Sequence, residues 1–145
     1  MKWYKSEINV QTQGKGMFTI TEDIAQQIRD WKVKEGICHL YVKHTSASLV
    51  INENYDPSAQ VDMESFMDQF VPEEQNWMLH TIEGKDDSPS HLRTMLTNVS
   101  LSVPIENGRM CLGTWQGVYL FEHRTRPHTR HILIRVMSVD DSEIA

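Results

Sequence analysis

The segment from Leu101 to Gly113 constrains the fold of this chain more than any other part of the sequence. An apolar stretch, Leu101 to Ile105, is followed by Asn107-Gly108 and then by Met110 to Gly113. Asn-Gly favours the tight turn of a two-residue β-hairpin, because both turn positions require a positive φ. The segment therefore predicts two antiparallel strands. Pro104 indicates that the first strand lies at an edge or contains a bulge, since proline has no amide hydrogen to donate.

Further segments show the alternation of apolar and polar residues that is typical of strands. These predicted strands are residues 3–12, 17–20, 37–44, 46–52, 118–122 and 131–139. Helical spacing of apolar residues predicts a helix over Glu22 to Lys32, a second from Pro57 to just before Pro72, and a short third helix carrying His91. Strands in hairpins with about three helices predict an α+β fold, mainly antiparallel, with residues 1–145 in a single domain.

Two details of packing are also expected from the sequence. Met63, Phe66, Met67 and Phe70 fall at i, i+3, i+4 and i+7, which predicts one stripe of the second helix buried in the core. Cys38 and Cys111 each lie among apolar residues of predicted strands. We interpret them as buried apolar side chains rather than as a disulfide or a zinc ribbon.

Composition limits the classes of partner. A chain of 145 residues suits one hydrophobic core, and its formal charge of −6 argues against non-specific binding of nucleic acid. No apolar run approaches the length that spans a bilayer, so no membrane partner is expected. The first residues lack the apolar stretch of a secretory signal, which, with two reduced thiols, predicts a cytoplasmic location.

A first cluster of polar residues follows two predicted strands. His44-Thr45-Ser46 comes where one strand ends, and Asn52-Glu53-Asn54 where the next ends, with Asp62 just beyond. Such positions are where binding and catalytic side chains are often carried. Asp56 has an alternative interpretation as a helix cap, because it precedes Pro57.

Histidines form the second cluster. His44, His80 and His91 together with a water would complete a four-coordinate site with an open position, as in catalytic zinc sites. The interval between His80 and His91 is not an HxxxH or HExxH spacing, and seven histidines produce many triples by chance. Spacing alone therefore leaves both a metal site and ordinary packed histidines open.

The third cluster is Gly113-Thr114-Trp115-Gln116-Gly117 with Glu122 and Arg124 beyond it. Trp115 suits a core position as well as a site. Glu122 and Arg124 lie two residues apart on a predicted strand, so they share a face and are expected to form a buried pair. Arg124, Arg126, Arg130 and Arg135 also accumulate near the last strands, where they suit either a phosphorylated small molecule or a solvated face.

Taken together, these motifs resemble those of one known family. They are His44-Thr45-Ser46-Ala47, Asn52-Glu53-Asn54 with Asp56, His80 to Gly84, Asp86 to His91, and Gly113 to Gly117 with Glu122 and Arg124. In this order they resemble the YjbQ-like family, which is associated with secondary thiamine-phosphate synthase activity, and the similarity covers essentially the whole chain. The resemblance implies an α+β fold rich in antiparallel strands and a homotrimer with the polar site near a subunit boundary.

The resemblance also implies residue roles. His44, His80 and His91 are the expected metal ligands. The expected catalytic residues are Asn52, Glu53, Asp62, Glu83 and Glu122. The expected substrate contacts are Thr114, Gln116, Arg124 and Arg130.

The function expected from these observations is that of a metal-dependent enzyme. Imidazole ligands select zinc, iron, nickel or copper rather than magnesium, so zinc is the expected divalent metal. The substrate is expected to be small and phosphorylated or heterocyclic, with secondary thiamine-phosphate synthesis or metal-assisted hydrolysis as the reaction. The alternative is a non-catalytic trimeric module that binds a small ligand or a metal.

Overall fold

The computed structural model describes residues 1–145 and contains eight strands, three α-helices and a C-terminal 3-10 turn. The strands are β1 (Lys2–Gln11), β2 (Gly16–Thr19), β3 (Glu35–Val42), β4 (Ala47–Glu53), β5 (Ser100–Glu106), β6 (Arg109–Met110), β7 (Gln116–Glu122) and β8 (Thr129–Val139). The helices are α1 (Thr21–Asp30), α2 (Pro57–Phe70) and α3 (Asp87–Leu96), and the 3-10 turn is Asp141–Glu143. The predicted α+β class is confirmed.

Two antiparallel sheets make up the frame. The larger has the order β1-β8-β3-β5-β6, and the smaller has the order β2-β7-β4. The hairpin predicted from Asn107-Gly108 joins β5 to β6, and both turn residues have positive φ, 50° and 79°. Its second strand is shorter than expected. The Pro104 carbonyl still accepts from the Cys111 amide, but Pro104 cannot donate in return, and regular pairing stops at Met110.

The main core lies between the two sheets and is closed at one end by α1. Fifteen buried apolar residues form it, including Ile24 and Ile28 of α1, Leu49 of β4, Leu120 of β7 and Ile134 of β8. Alternation along the strands directs these side chains into one layer, as expected for facing sheets. The long strands β3 and β8 pair over eight residues and set the axis of the larger sheet.

A smaller apolar cluster covers the outer face of the three-stranded sheet. Met17, Met67, Val71, Tyr119 and Phe121 form it, beneath α2. The predicted buried stripe of α2 is therefore only partly correct.

Phe66 and Phe70 are each 62% exposed and stack on one another, with ring centroids 5.5 Å apart. The helix contacts the sheet along a narrow line through Met63 and Met67, so the neighbouring row of the stripe faces outward.

One further packing expectation, that both cysteines are buried, is half correct, and the position of Trp115, which the sequence leaves open, is outside the core. Cys38 is buried in the core, but Cys111 is exposed because it lies just beyond the short strand β6. Trp115 is also exposed. It packs edge-to-face on Tyr55, with ring centroids 4.7 Å apart, rather than entering the core.

A buried ion pair joins the two sheets at one end of the main core. Glu122 follows the inward-facing residues of β7, and Arg130 begins the inward-facing row of β8. Arg130 Nε lies 2.6 Å from Glu122 Oε2, and its Nη2 lies 2.5 Å from Oε1. Thr12 Oγ1 and the Arg124 amide also donate to this carboxylate, and Arg130 Nη2 donates to Ser46. Each charge is therefore compensated where water has little access.

No helix of the structure combines the length and the apolar character needed to cross a membrane.

We expect Glu122→Gln to lower the free energy of unfolding by about 3 kcal/mol, because the buried Arg130 guanidinium would lose its counter-charge. Equilibrium urea unfolding at neutral pH measures this difference. Glu22→Gln is the matched control, since it removes a surface pair with Arg29 and should cost less than about 1 kcal/mol. Equal stability of the parent and Glu122→Gln proteins would contradict the structural role of the pair.

The difference in unfolding free energy between the parent and Glu122→Gln depends on pH. Burial raises the pKa of Glu122, but the hydrogen bond and charge of Arg130 outweigh it and hold the pKa below its ordinary value of 4.5. A depressed carboxyl pKa contributes stability above pH 4.5 that is lost as pH falls through the lower folded value. The gap between the parent and Glu122→Gln should therefore shrink below pH 4.5.

Candidate metal centre and its cavity

A cavity of about 1310 Å³ opens beside the C-terminal end of β3 and the C-terminal half of α3. The end of β3 and the β3–β4 connection supply one wall, from Tyr41 to Ser46, and α3 with the segment that follows it supplies another. All three histidines predicted as ligands, His44, His80 and His91, line this cavity. The fold therefore brings together residues that are distant in sequence, although it does not give them equivalent roles.

The first turns of α3 place a carboxylate and an imidazole on one face. Asp87 is the first residue of the helix and His91 lies four positions later, so their side chains are neighbours. Asp87 is 1% exposed, and its main-chain carbonyl accepts from Ser90 Oγ. The helix thus carries a buried acid beneath a partly exposed histidine.

Asp87 is the point on which two histidines converge. Its Oδ2 lies 2.6 Å from His80 Nε2 and 3.2 Å from His91 Nε2. One ligand atom from each of the three residues lies within 4.8 Å of those of the other two. His80 comes from the long α2–α3 connection and is about half exposed, so this side of the cluster is open to the cavity.

A hydrogen bond determines how His91 presents its ring. His91 Nδ1 lies 2.8 Å from the carbonyl oxygen of Thr45, which can only accept, so Nδ1 carries a hydrogen. The neutral ring therefore directs the Nε2 lone pair at Asp87. An imidazole lone pair and a carboxylate oxygen repel one another unless a proton or a metal ion lies between them. Donation from Nδ1 to a carbonyl is the usual support for a metal-ligating histidine.

The Asp87 carboxylate is held in its ionised form. Burial by itself raises the pKa of Asp87, but its contacts with His91, Arg124 and His80 outweigh burial and lower the pKa. Arg124 Nη1 lies 2.5 Å from Asp87 Oδ1, the oxygen that does not face the histidines. The cluster therefore offers two imidazole nitrogens and one negatively charged oxygen.

His44 has a different role from the predicted one. Its Nε2 accepts a hydrogen bond from the His131 amide at 2.9 Å, so the Nε2 lone pair is already used. Burial, Arg130 and His131 lower the pKa of His44, which favours the neutral ring with its hydrogen on Nδ1. The residues that the structure groups closely enough to hold a metal ion are His80, Asp87 and His91, whereas His44 lies in the neighbouring wall of the cavity.

The predicted pair between Glu122 and Arg124 does not form. Glu122 binds the Arg130 guanidinium, whereas the Arg124 guanidinium contacts Asp86, Asp87 and the main-chain carbonyl of Glu83. β7 ends at Glu122, so Arg124 lies in the β7–β8 connection and does not share a strand face with Glu122. Glu83 contributes this carbonyl rather than its carboxylate, and Arg130 lines the cavity with its guanidinium already bound to Glu122 and Ser46.

Five other predicted site residues do not line the histidine cavity, and four of them lie at the opposite end of the three-stranded sheet. Ala47 pairs with Glu122 near the cavity, whereas Glu53 pairs with Gln116 at the far end of β4. Six residues along a strand correspond to about 20 Å. The four residues are Asn52, Glu53, Thr114 and Gln116, and the fifth is Asp62 of α2.

Local contacts occupy several of these five residues. The Glu53 carboxylate accepts from the Asp56 amide, Asn52 Oδ1 accepts from the Glu53 amide, and Gln116 Oε1 accepts from the Gly113 amide. Asn52 and Asp62 also line a separate, mainly apolar pocket of about 360 Å³ beside α2. Thr114 is exposed. Within one chain, these residues do not meet the histidine cluster.

Asp87 is the site residue that sequence reasoning missed. A partial signal was present, because Asp87 and His91 stand four residues apart, but the short helix predicted around His91 does not extend back to Asp87. Two adjacent acids, Asp86 and Asp87, left the choice between them open until the helix start was known. Only the structure shows that Asp86 turns towards Thr125 and Asp87 towards the histidines.

Comparisons with known proteins agree with the fold. The model of the family described as UPF0047 protein YjbQ-like matches residues 6–139. The chain is 46% identical to a UPF0047 protein of Synechocystis over 127 residues, which cover 88% of this chain and 86% of that protein. It is 40% identical to the UPF0047 protein YjbQ of Escherichia coli O157:H7, over a match that covers 90% of this chain and 95% of that protein.

Solved structures show the same architecture. A YbjQ-like protein of unknown function from Sulfolobus solfataricus superposes with a TM-score of 0.87 at 25% identity, covering 95% of this chain and 99% of that one. A conserved protein of the yjbq/upf0047 family from Clostridium acetobutylicum superposes with a TM-score of 0.83 at 28% identity, covering 91% of this chain and 99% of that one.

We expect both His44 and His91 to carry their hydrogen on Nδ1 in the metal-free protein at alkaline pH. Long-range proton–nitrogen NMR spectra of the imidazole rings distinguish the two tautomers. The reason differs for the two rings: His44 Nε2 accepts from an amide, whereas His91 Nδ1 donates to a carbonyl. An Nε2–H form of His91 would contradict the orientation of its lone pair towards Asp87.

Proposed function

The chain belongs to the UPF0047 (YjbQ-like) protein family, and on that premise we propose that it is a metal-dependent enzyme acting on a small phosphorylated or heterocyclic substrate. The observation that carries the proposal is the convergence of His80 Nε2 and His91 Nε2 on one oxygen of the buried Asp87 carboxylate. The His91 Nε2 lone pair faces the same Asp87 oxygen, and this contact is repulsive unless a proton or a metal ion lies between the two atoms.

The donor set fits a divalent transition metal. Two imidazole nitrogens and one carboxylate oxygen form the ligand set of catalytic zinc sites and of related iron sites, and both leave positions for other ligands. Magnesium is a poor match, because it prefers oxygen ligands. We therefore propose zinc or a metal of similar preference at His80, Asp87 and His91. When bound there, such a metal supplies Lewis acidity to an oxygen of the substrate.

The lining of the cavity favours an anionic substrate. None of its thirteen lining residues carries a carboxylate, although the chain as a whole has a formal charge of −6. Lys43 stands at the wall, with its Nζ 3.7 Å from the carboxylate of Glu7, which is not a lining residue. The Nδ1 hydrogen inferred for His44 is available for donation. Hydroxyl groups complete the polar lining, from Thr45, Ser46, Thr94 and Thr97. A lining that has cationic and hydroxyl groups and no carboxylate of its own suits a phosphate group.

Secondary thiamine-phosphate synthesis is the most specific reaction that the family resemblance suggests. That reaction requires a leaving diphosphate to be neutralised more than it requires a nucleophilic side chain. Imidazole-bound metal suits hydrolysis at least as well. We propose the synthase reaction as a secondary activity and metal-assisted chemistry on a small phosphorylated compound as the main one.

A homotrimer is part of the same proposal. Leu79 and Ile82 flank His80 in the chain and are 93% and 96% exposed. Met95 of α3 is also exposed and lines the cavity. Large apolar side chains beside an open polar cavity are typical of a surface covered by another subunit. A neighbouring copy would then enclose the cavity.

We expect the purified protein, loaded with zinc and then dialysed, to retain a stoichiometric amount of zinc. The double variant His80→Ala/His91→Ala should retain none, because two of its three ligands are removed. Elemental analysis by mass spectrometry measures both, with circular dichroism to confirm folding.

His39→Ala is the matched control for the double variant, since His39 lies on β3 and hydrogen-bonds only to Ser102. It should bind zinc like the parent. Turnover of thiamine-phosphate precursors and of simple phosphate esters by the loaded parent, lost in the double variant, would support the enzyme. Zinc binding without turnover of any substrate would favour the non-catalytic module. A parent protein that retains no zinc after loading would exclude the metal-dependent enzyme and the metal-binding form of the module.

We expect light scattering during size-exclusion chromatography to give three times the chain mass of 16.9 kDa. Leu79→Asp/Ile82→Asp should shift the protein towards monomer, because it places charges on the proposed contact. Ile144→Asp, at an exposed apolar residue near the C-terminus, should leave the mass unchanged. A monomeric parent would contradict the trimer but not the metal site.

A further inference from the structure

We propose that Arg124 is a positioning residue that reserves a single oxygen of Asp87 for the metal, rather than a substrate contact. The inference rests on the metal site proposed above and concerns how this chain's own side chains prepare it. Arg124 was predicted from sequence to bind substrate, but in the structure its guanidinium binds Asp86, Asp87 and the Glu83 carbonyl.

All three guanidinium nitrogens of Arg124 are occupied by the chain. Nε lies 2.9 Å from Asp86 Oδ2, Nη1 lies 2.5 Å from Asp87 Oδ1, and Nη2 lies 3.1 Å from the Glu83 carbonyl oxygen. The side chain is 12% exposed. Three of the five N–H donors of this guanidinium are therefore used within the chain, and the contact with Asp87 is one of them.

The two oxygens of Asp87 are divided between two partners. Oδ1 faces Arg124, and Oδ2 faces His80 and His91. As long as Arg124 holds Oδ1, only Oδ2 is free to join the histidines as a ligand. A carboxylate restricted to one oxygen leaves more positions at the metal for substrate and water.

Asp86 anchors Arg124 from the other side. The Asp86 carboxylate accepts from the Thr125 amide at 2.9 Å and from Thr125 Oγ1 at 3.1 Å, in addition to Arg124 Nε. It therefore ties the start of α3 to the β7–β8 connection. Asp86 and Asp87 together form a fork that receives the planar guanidinium, which a lysine could not reproduce.

The main chain of Arg124 is fixed as firmly as its side chain. Its amide donates to Glu122 Oε1 at 3.0 Å, and Glu122 is bound by the buried Arg130. Arg124 therefore extends from the interface between the sheets, where its amide is bound, to the first turn of α3, where its guanidinium is bound. This continuity explains how a residue on one element can set the position of a ligand on another.

The test compares cobalt binding by the parent, Arg124→Gln and Arg126→Gln. Co²⁺ replaces zinc in such sites and reports its coordination through visible absorption. We expect Arg124→Gln to weaken Co²⁺ binding roughly 10–100-fold, the usual effect of removing a residue that supports a ligand. We also expect weaker visible absorption, because a freed Asp87 Oδ1 can join the metal and raise its coordination number.

Arg126→Gln is the matched control, because Arg126 is an exposed residue of the same connection and its side chain makes no ion pair. It should match the parent in affinity and spectrum. If Arg124→Gln fails to fold by circular dichroism, Arg124→Lys serves instead. It keeps the charge but lacks the planar guanidinium, and it should change the spectrum in the same direction.

The outcomes separate this inference from the proposed function. A parent that binds no Co²⁺ overturns the metal site, and the role of Arg124 with it. A parent that binds Co²⁺ while the Arg124 variants match it in affinity and spectrum overturns the role of Arg124 alone. A change in affinity with an unchanged spectrum assigns Arg124 to charge balance and also overturns the positioning role.

Discussion

The contact between the Arg130 guanidinium and the Glu122 carboxylate is the constraint on which the functional end of this molecule depends. It lies between two sheets, where a charge without a partner would cost several kcal/mol, so each remaining polar atom nearby must also be satisfied. Thr12, Ser46 and the amide of Arg124 meet that requirement. Their main-chain positions are therefore set by the pair, and three separate connections are brought to the same end of the core.

The candidate metal centre is built outward from this pair in two directions. On one side, Arg130 binds Ser46, and the carbonyl of the preceding residue, Thr45, orients His91. On the other side, Arg124 extends from Glu122 to Asp87, which faces both histidines. Hydrogen bonds on both sides therefore hold the His91 imidazole and the Asp87 carboxylate next to one another. A rigid arrangement of this kind suits a site in which ligands must be in place before a metal arrives.

The candidate site could be predicted from sequence only in part. His80 and His91 were expected and do converge, because they belong to a motif that is recognisable along the chain. Asp87 was missed, since the choice between two adjacent acids depends on the residue at which α3 begins. The expected partnership of Glu122 with Arg124 was wrong for a related reason: β7 ends at Glu122, so Arg124 does not lie on the same strand face.

The amino-acid sequence by itself determined the strands, the Asn-Gly hairpin, the helices and the α+β class. These features depend on hydrogen bonding and periodicity within a few residues, and such local preferences can be read along the chain. Only the tertiary structure decided that Glu122 binds Arg130, that His44 accepts from an amide and that Phe66 faces outward. Those outcomes depend on which distant segments approach one another, as with Thr12 and Glu122, which lie 110 residues apart. A buried charge takes the partner that packing delivers, and packing is a property of the whole fold.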